Sequence, residues 1–432
     1  MQKQSTSGRF YLALVIFSLT GQVAWVVENM YFNVFLYRMF HASASDISLM
    51  VGASAVSAAV TTLLIGALSD KMGKRKLFIC GGYLVWGITI WSFSLIRMDV
   101  IQAVFPRAAS AAAVGVSLVI IMDCVMTFFG SSANDASFNA WLTDVTDDTN
   151  RGAAEGINSM MPLLAILVVF GGFMGFDLSK ESSWTAIFNI IGIAVILIGV
   201  LGIFLIREPD IKTADNQNYF TNVFYGFRPD VIGENRVLYV TLLAMAAFHI
   251  SIQVFMPYLI LYYNVSLGMA DYVLVMAPAI VLAAVFTAFY GRVYDRAGFR
   301  RAVLLPIILL MAGYVFLYFC RSKPLVFVGS LLMMCGNLSG GAVFGAMIRD
   351  HTPENKAGMF QGLRITAQVL IPGVVGPAIG AAVLKNAATI VNDDGTTSFI
   401  PNANIFLAAF AAGIIIWLVL FWLLRMLKKE ER

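Results

Sequence analysis

The sequence predicts an all-α integral membrane protein: twelve transmembrane helices in two pseudo-symmetric six-helix bundles. Three observations carry that expectation. Of 432 residues, 59% are apolar and only 12% are charged, whereas a soluble domain is about a quarter charged and about half apolar at most. Apolar runs near the roughly 20 residues that cross a hydrocarbon layer are centred on Val26, Ala58, Trp86, Val125, Leu167, Ala194, Ile250, Ile280, Leu310, Met334, Val374 and Ile414. Two polar segments recur in the same order in each half, the mark of an internal duplication.

The first run contains Glu28 and is too long for a cleavable leader, so it reads as the first membrane helix. Basic residues set the orientation. Arg38, Arg97, Arg107, Lys180, Arg321, Lys323 and Lys385 fall on one face. The other face, which includes both termini, has roughly three times as many, so both termini are expected in the cytoplasm of a cell-membrane protein. The longest polar interruption divides the chain into an N-terminal bundle (1–206), a central cytoplasmic loop (207–236) and a C-terminal bundle (237–432). Within that loop Tyr219, Phe220, Val223, Phe224 and Phe227 recur at helical spacing, which suits either a short helix on the inner leaflet or a flexible tether. A stretch from Asn386 to Asn402, containing Asp393, Asp394 and Gly395, reads as an external loop with a tight turn.

The segment Gly66-Ala-Leu-Ser-Asp70-Lys-Met-Gly73-Lys-Arg75 returns as Gly291-Arg-Val-Tyr-Asp295-Arg-Ala-Gly298-Phe-Arg300. A second pair matches Asp144, Thr146, Asp148, Gly152, Glu155 and Gly156 to Asp350, Thr352, Glu354, Gly358, Gln361 and Gly362. Gly66 and Gly291 would let helices approach closely, and Asp70 and Asp295 place carboxylates at helix ends. Pairing of Asp70 with Arg151, and of Asp295 with Lys356 or Arg349, would form locks between helices; topology signalling alone is the other reading of the basic residues.

GALSDKMGKRK and GRVYDRAGFRR resemble the loop signature of the major facilitator superfamily, which appears once in each half. The stretch Asn134-Asp135-Ala-Ser-Phe138-Asn-Ala-Trp141-Leu-Thr143-Asp144, with Arg151 beyond it, is similar to the fourth helix and following loop of the melibiose permease-like glycoside-pentoside-hexuronide cation symporters. The resemblance implies the major facilitator fold, secondary transport and a sugar-like substrate, with Asp135 in sugar and cation binding. It also shows departures. The paired aspartates of the symporters' second helix are replaced by Ser54, Ser57, Thr61 and Thr62, and the lysine of their eleventh helix by Gln368.

An acid at bilayer depth costs about 2.5–3.5 kcal/mol on insertion scales and usually faces a bundle interior or an aqueous cavity. Glu28, Asp123 and Asp135 are therefore the candidates for proton or cation coupling, because burial favours the neutral acid. On the first helix Gln22, Trp25, Asn29 and Asn33 share a face, a stripe suited to stacking and hydrogen-bonding a sugar or to gluing two helices. On the fourth, Asp123, Thr127, Gly130, Asn134 and Trp141 share a face and Asp135 turns away from it towards Ser131 and Asn139. The second half offers His249 and Gln253 one turn apart, then Asn337 and Gln368; Tyr258, Tyr262 and Tyr263 suit an external aromatic belt or a binding wall. Arg364 suits snorkelling at the cytoplasmic mouth. Pro372, Gly373, Gly376, Pro377 and Gly380 suit either a helix that bends or tight packing.

Cys80, Cys124, Cys320 and Cys335 all lie in apolar runs, and the three His fit no ligand spacing, which argues against disulfides, a metal or a cofactor. No phosphate-binding loop or nucleophile elbow is present, and no basic stripe lies outside the inner-leaflet loops, so enzymatic chemistry and nucleic-acid binding have no basis. The expected partners are a small-molecule substrate, a proton or sodium ion and the lipid bilayer, with the chain acting as a monomer. The expected function is secondary transport of a small polar solute, a sugar or glycoside. The rivals are a proton-driven exporter of amphipathic or cationic compounds and a membrane sensor.

Overall fold

Backbone amides find no water in hydrocarbon, so a chain this apolar satisfies them within helices. The computed structural model describes residues 8–146, 150–208, 225–352, 362–392 and 395–430, apart from the side chains of Ala67, Asp70, Tyr225, Lys429 and Glu430. Twelve helices there are long and apolar enough to cross a membrane: α1 (Gly8–Phe40), α2 (Ala44–Gly66), α3 (Arg75–Leu95), α4 (Ala111–Val145), α5 (Arg151–Phe173), α6 (Glu181–Leu205), α7 (Arg236–Ser266), α8 (Tyr272–Ala297), α9 (Phe299–Phe319), α10 (Lys323–His351), α11 (Gly362–Leu384) and α12 (Asn404–Lys428). Each contains one of the twelve centres read from the sequence.

Helix boundaries have local causes. α1 stops at His41, which takes the left-handed conformation at φ 52°. α2 starts at a reciprocal cap, in which Ser43 N donates to Asp46 Oδ2 at 2.8 Å and Asp46 N donates to Ser43 Oγ at 3.2 Å. The expected external loop contains an antiparallel hairpin, β1 (Thr389–Val391) and β2 (Thr397–Phe399), with Ile390 opposite Ser398. Gly395 makes its turn at φ 79°, and Asp393 and Asp394 lie outside the described residues. So do Tyr219, Phe220, Val223 and Phe224 of the central loop. The described part of that loop holds a short helix, Pro229–Glu234.

Two units divide the chain: Met1–Ala42 with Ala53–Tyr219, and Ser43–Gly52 with Phe220–Arg432. In the first, α1 packs along α5 and α6, and α3 along α4 and α6. In the second, α7 packs along α11 and α12, and α9 along α10 and α12. Each pair recurs six helices later, which is the structural form of the sequence repeat. Small residues make these contacts close, as expected where lipid removes the hydrophobic drive between helices. A Cβ on Gly192 of α6 would lie 2.6 Å from the Trp91 amide of α3, and one on Gly376 of α11 would lie 2.5 Å from Gln253 Cβ of α7. Gly66 and Gly291 do not have that role. A Cβ at Gly66 would meet Ala136 at an ordinary 3.9 Å, and at Gly291 it would meet nothing within 4 Å among the described residues.

Among the described residues four helices widen into π turns: Val27–Tyr31 in α1, Ser131–Phe138 in α4, Tyr262–Ser266 in α7 and Thr366–Leu370 in α11. Such turns shift the side-chain register and concentrate at functional sites. Glu28, Asn29, Asn134, Asp135 and Gln368 all sit on them.

Between α7 and α8, Asp271 lies 2.7 Å from Lys323 Nζ, and the ammonium holds its carboxyl below the ordinary carboxylate range. A lowered folded-state value means that the pair contributes stability above the unfolded value of about 3.9 and loses it as pH falls through the folded value. Asp271→Asn is therefore expected to lower the melting temperature slightly near neutral pH and not at all near pH 2, as checked by thermal unfolding of both proteins at each pH.

Candidate functional site

The polar residues of the first unit converge where α1, α2 and α4 meet, in two neighbouring clusters. In the first, Ser54 Oγ of α2 donates to Glu28 Oε1 at 2.7 Å and Thr127 Oγ1 of α4 donates to the same oxygen at 2.8 Å. The two hydroxyls stand 2.8 Å from each other. Asp123, one turn before Thr127, lies against Ser54 and within electrostatic reach of Glu28. Glu28 is 7% exposed and Asp123 1%. These two acids are thus sealed between helices, in the bundle interior rather than on an aqueous cavity. Glu28 Oε2 and Asp123 Oδ1 are buried without a hydrogen-bond partner.

In the second cluster Asp135 is held by three donors. Trp25 Nε1 and Asn134 Nδ2 donate to its Oδ1 at 3.2 and 3.1 Å, and Ser131 Oγ donates to its Oδ2 at 3.0 Å. Tyr83 Oη of α3 lies 2.8 Å from the Phe17 carbonyl and 3.0 Å from Asn134 Oδ1, and its one proton serves these two acceptors. An unbroken α-helix would turn Asp135 away from the face shared by Asp123 and Asn134. The π turn Ser131–Phe138 rewinds α4, so Asp135 reaches Trp25 of α1 while keeping its contact with Ser131. The Trp25 ring lies 5.1 Å from that of Trp86, and a Cβ on Gly130 would come within 2.9 Å of both rings. Only glycine fits there.

The rest of the α1 stripe is partly spent on its own backbone. Asn29 Nδ2 donates to the Trp25 carbonyl at 2.8 Å and Asn33 Nδ2 to the Asn29 carbonyl at 3.1 Å, around the π turn where backbone pairing shifts. Asn29 is exposed, Gln22 half-buried, and Asn33 buried with Oδ1 unpartnered.

In the second unit His249 Nδ1 lies 2.9 Å from the Met245 carbonyl. Gln253, one turn on, packs against Gly376 of α11, and Asn337 and Gln368 are half-buried. The tyrosines form no interfacial belt. Tyr258, Tyr262 and Tyr263 are at most 2% exposed; Tyr258 Oη donates to the Pro377 carbonyl and Tyr263 Oη bonds Ser330 Oγ at 2.7 Å. Arg364 is exposed.

At the loop repeats the described residues make the following contacts. Arg75, 5% exposed, donates through Nε to Asp144 Oδ2 at 2.9 Å and through Nη1 to Ser69 Oγ at 2.6 Å. Arg151 donates to the Thr146 carbonyl at 3.3 Å. The Asp70 side chain and Lys356 lie outside the described residues. In the second unit Tyr294 Oη donates to Asp350 Oδ2, Asp295 is exposed and Arg300 half-buried. Sequence reasoning missed Ser54 as a partner of Glu28, Tyr83 as a neighbour of Asn134 and Asp144 as the partner of Arg75. Asp144 did carry a signal, since it opens the second repeat.

Comparison with known proteins agrees with this architecture. The sequence matches the family profile of the Major Facilitator Superfamily over residues 10–377 and 238–432. Among curated proteins, none matches it significantly. The fold is similar to that of a bacterial homolog of the human lysosomal transporter Spinster, inward-facing and unoccupied, at TM-score 0.71 and 15% identity over 98% of each chain. It is also similar to a point mutant of the nucleoside transporter NupG, at TM-score 0.71 and 12% identity over 96% of this chain and 99% of that one. A third match is the partially occluded, inward-open xylose transporter XylE from E. coli, at TM-score 0.69 and 12% identity over 95% and 99%. At these identities the likeness establishes fold alone. With twelve candidate spans, duplicated packing and a family match along most of its length, the chain belongs to the Major Facilitator Superfamily and is a membrane transporter, not an enzyme.

Proposed function

We propose that the protein moves a small polar solute, a sugar or glycoside, across the cell membrane by alternating access coupled to a proton or another cation, in the manner of the glycoside symporters. It would act as a monomer with both termini cytoplasmic, and the two halves, 1–206 and 237–432, would be the moving bodies. The observation that carries this reading is the Trp25–Asp135–Asn134 cluster. An indole beside a carboxylate and an amide offers a ring for the apolar face of a sugar and acceptors for its hydroxyls. The nucleoside and xylose transporters among the similar structures are named for sugar-bearing solutes, which supports the same class. His249 and Gln253 of α7, Asn337 of α10 and Gln368 of α11 are the second half's candidate substrate residues. Of the three acids, Glu28 and Asp123 are short of hydrogen-bond donors and are assigned to coupling. Asp135, with three donors, is assigned to the substrate side.

A thermal-shift panel of the purified protein against sugars, nucleosides, organic anions and lipophilic cations tests the proposal. Stabilisation by a sugar or nucleoside, weakened at least tenfold in apparent affinity by Trp25→Ala, is the expected result; loss of one stacking contact and one hydrogen bond corresponds to about 1.5 kcal/mol or more. Stabilisation by lipophilic cations alone would replace this reading with that of an exporter.

A further inference from the structure

The two copies of the loop repeat close differently. In the first unit Arg75 draws Asp144 and Ser69 together and is itself buried. In the second, Tyr294 stands at the place of Ser69 and donates through Oη to Asp350, the counterpart of Asp144. Both Asp350 and the neighbouring Arg349 stay exposed. Beside them α8 and α10 part around a cavity of about 290 Å³. Tyr290, Tyr294 and Asp295 of α8 and Arg349 and Asp350 of α10 supply its rings and charges. Gly291 leaves it room: a Cβ there would meet nothing within 4 Å among the described residues.

The lining selects its occupant. Two carboxylates against one guanidinium repel an anion at contact, while Arg292, Arg296, Arg300 and Arg301 in the adjoining turns hold off a free cation. A neutral solute with several hydroxyls suits the set, because carboxylates accept from hydroxyls and a guanidinium donates to them. Among the described residues no side-chain hydrogen bond or ion pair occupies Asp295 or Arg349, so their capacity is open to such a solute. The Tyr290 ring is held in place by its Oη, which donates to the Ala302 carbonyl at 2.8 Å, and by stacking on Phe286 at 5.3 Å. It gives the cavity a fixed aromatic wall. The volume falls just under the roughly 300–1000 Å³ of small-molecule sites, which leaves room for one sugar ring and not for a larger glycoside.

We propose, resting on the transport reading above, that the α8–α10 cavity is a second solute site, which takes one neutral sugar ring between Asp295, Arg349 and Asp350 with the tyrosines as its wall. It belongs wholly to the second unit and shares no residue with the Trp25–Asp135–Asn134 cluster. Tyr294 is its positioning residue: the hydrogen bond to Asp350 aims that carboxylate, leaving its other oxygen to accept from the solute. The site lies at the end of the bundle that carries the loop repeats, so the solute occupies it on the cytoplasmic side of its passage.

Equilibrium binding of radiolabelled D-glucose, D-galactose, D-xylose and uridine to the full chain in lipid nanodiscs tests this. For at least one of them two molecules per chain are expected in the parent, and one in Trp25→Ala. One is also expected in Gly291→Leu, whose side chain fills the cavity without a clash and should leave the melting temperature unchanged. Asp295→Asn, at an exposed position, should weaken the site that survives Trp25→Ala at least tenfold; it decides alone if Gly291→Leu melts early. A single molecule per parent chain, two in a folded Gly291→Leu, or an undiminished second site in Asp295→Asn would overturn the proposal. Each of these results leaves the transport reading standing, because the Trp25-dependent site remains. Absence of binding by all four probes in the parent would sink both.

Discussion

Asp144→Ala is expected to destabilise the protein by about 2–4 kcal/mol. Its partner Arg75 is 5% exposed and donates to Asp144 and to the fully buried Ser69. Removing one member of a buried ion pair costs about 3–5 kcal/mol, because the other charge stays behind in a poor solvent. The figure is reduced here because the Asp144 side chain keeps 26% exposure, so water already screens part of the pair. Arg75→Lys should recover little, since the donors of an ammonium radiate from one nitrogen and do not reproduce the spaced Nε and Nη1 of the guanidinium that meet Asp144 and Ser69. Thermal unfolding of Asp144→Ala, Arg75→Ala and the double variant closes the cycle. The double variant should be nearly as stable as the less stable single one, with a coupling of about 1 kcal/mol or more. Additive losses would show that Arg75 and Asp144 do not act as a pair.

That ion pair also shows what the sequence made legible. Arg75 belongs to the first repeat and Asp144 opens the second, so both positions stood out on period alone. Which side chains cross from one loop to the other did not, because a repeat marks positions without giving distances. Among the described contacts Arg151 donates to the Thr146 carbonyl within its own loop, and the Asp70 side chain lies outside the described residues. The twelve helices were readable because apolar length is set by bilayer thickness and needs no knowledge of packing. The candidate site was readable in part. Glu28, Asp123 and Asp135 stood out as acids in apolar runs, but their orientation was drawn at an even helical period. The π turns Val27–Tyr31 and Ser131–Phe138 break that period where these residues lie, so Asp135 meets Trp25 and Glu28 meets Thr127. Ser54 stood out with Ser57, Thr61 and Thr62 as replacing the symporters' paired aspartates, but nothing in the sequence picked it from those four as the partner of Glu28.

Asp135→Ala is expected to lose about 2–4 kcal/mol of stability, and Asp135→Asn less than about 1 kcal/mol. In the native cluster Oδ1 accepts from the Trp25 indole and the Asn134 amide, and Oδ2 from Ser131. Alanine strands two N–H donors, each costing about 1–3 kcal/mol when left buried and unpaired, less whatever water regains at the half-buried Trp25. Asparagine need strand none. Its carbonyl can accept from Trp25 and Asn134, and its amide can donate to Ser131 once that hydroxyl rotates, since a hydroxyl both gives and takes. The two substitutions therefore separate placement from charge. If Asp135 serves to hold Trp25 in position, Asp135→Asn should bind the stabilising sugar or nucleoside within about threefold of the parent, while Asp135→Ala loses binding by more than about tenfold, as the cost of a misplaced indole implies. The opposite ordering, with asparagine as damaging to binding as alanine while the protein stays folded, would mean that the negative charge of Asp135 itself contacts the solute or the coupling ion. Glu28→Gln provides the contrast. It keeps a hydrogen-bonding group beside Ser54 and Thr127 and leaves Trp25 untouched, so ligand binding should survive while the pH dependence of that binding disappears.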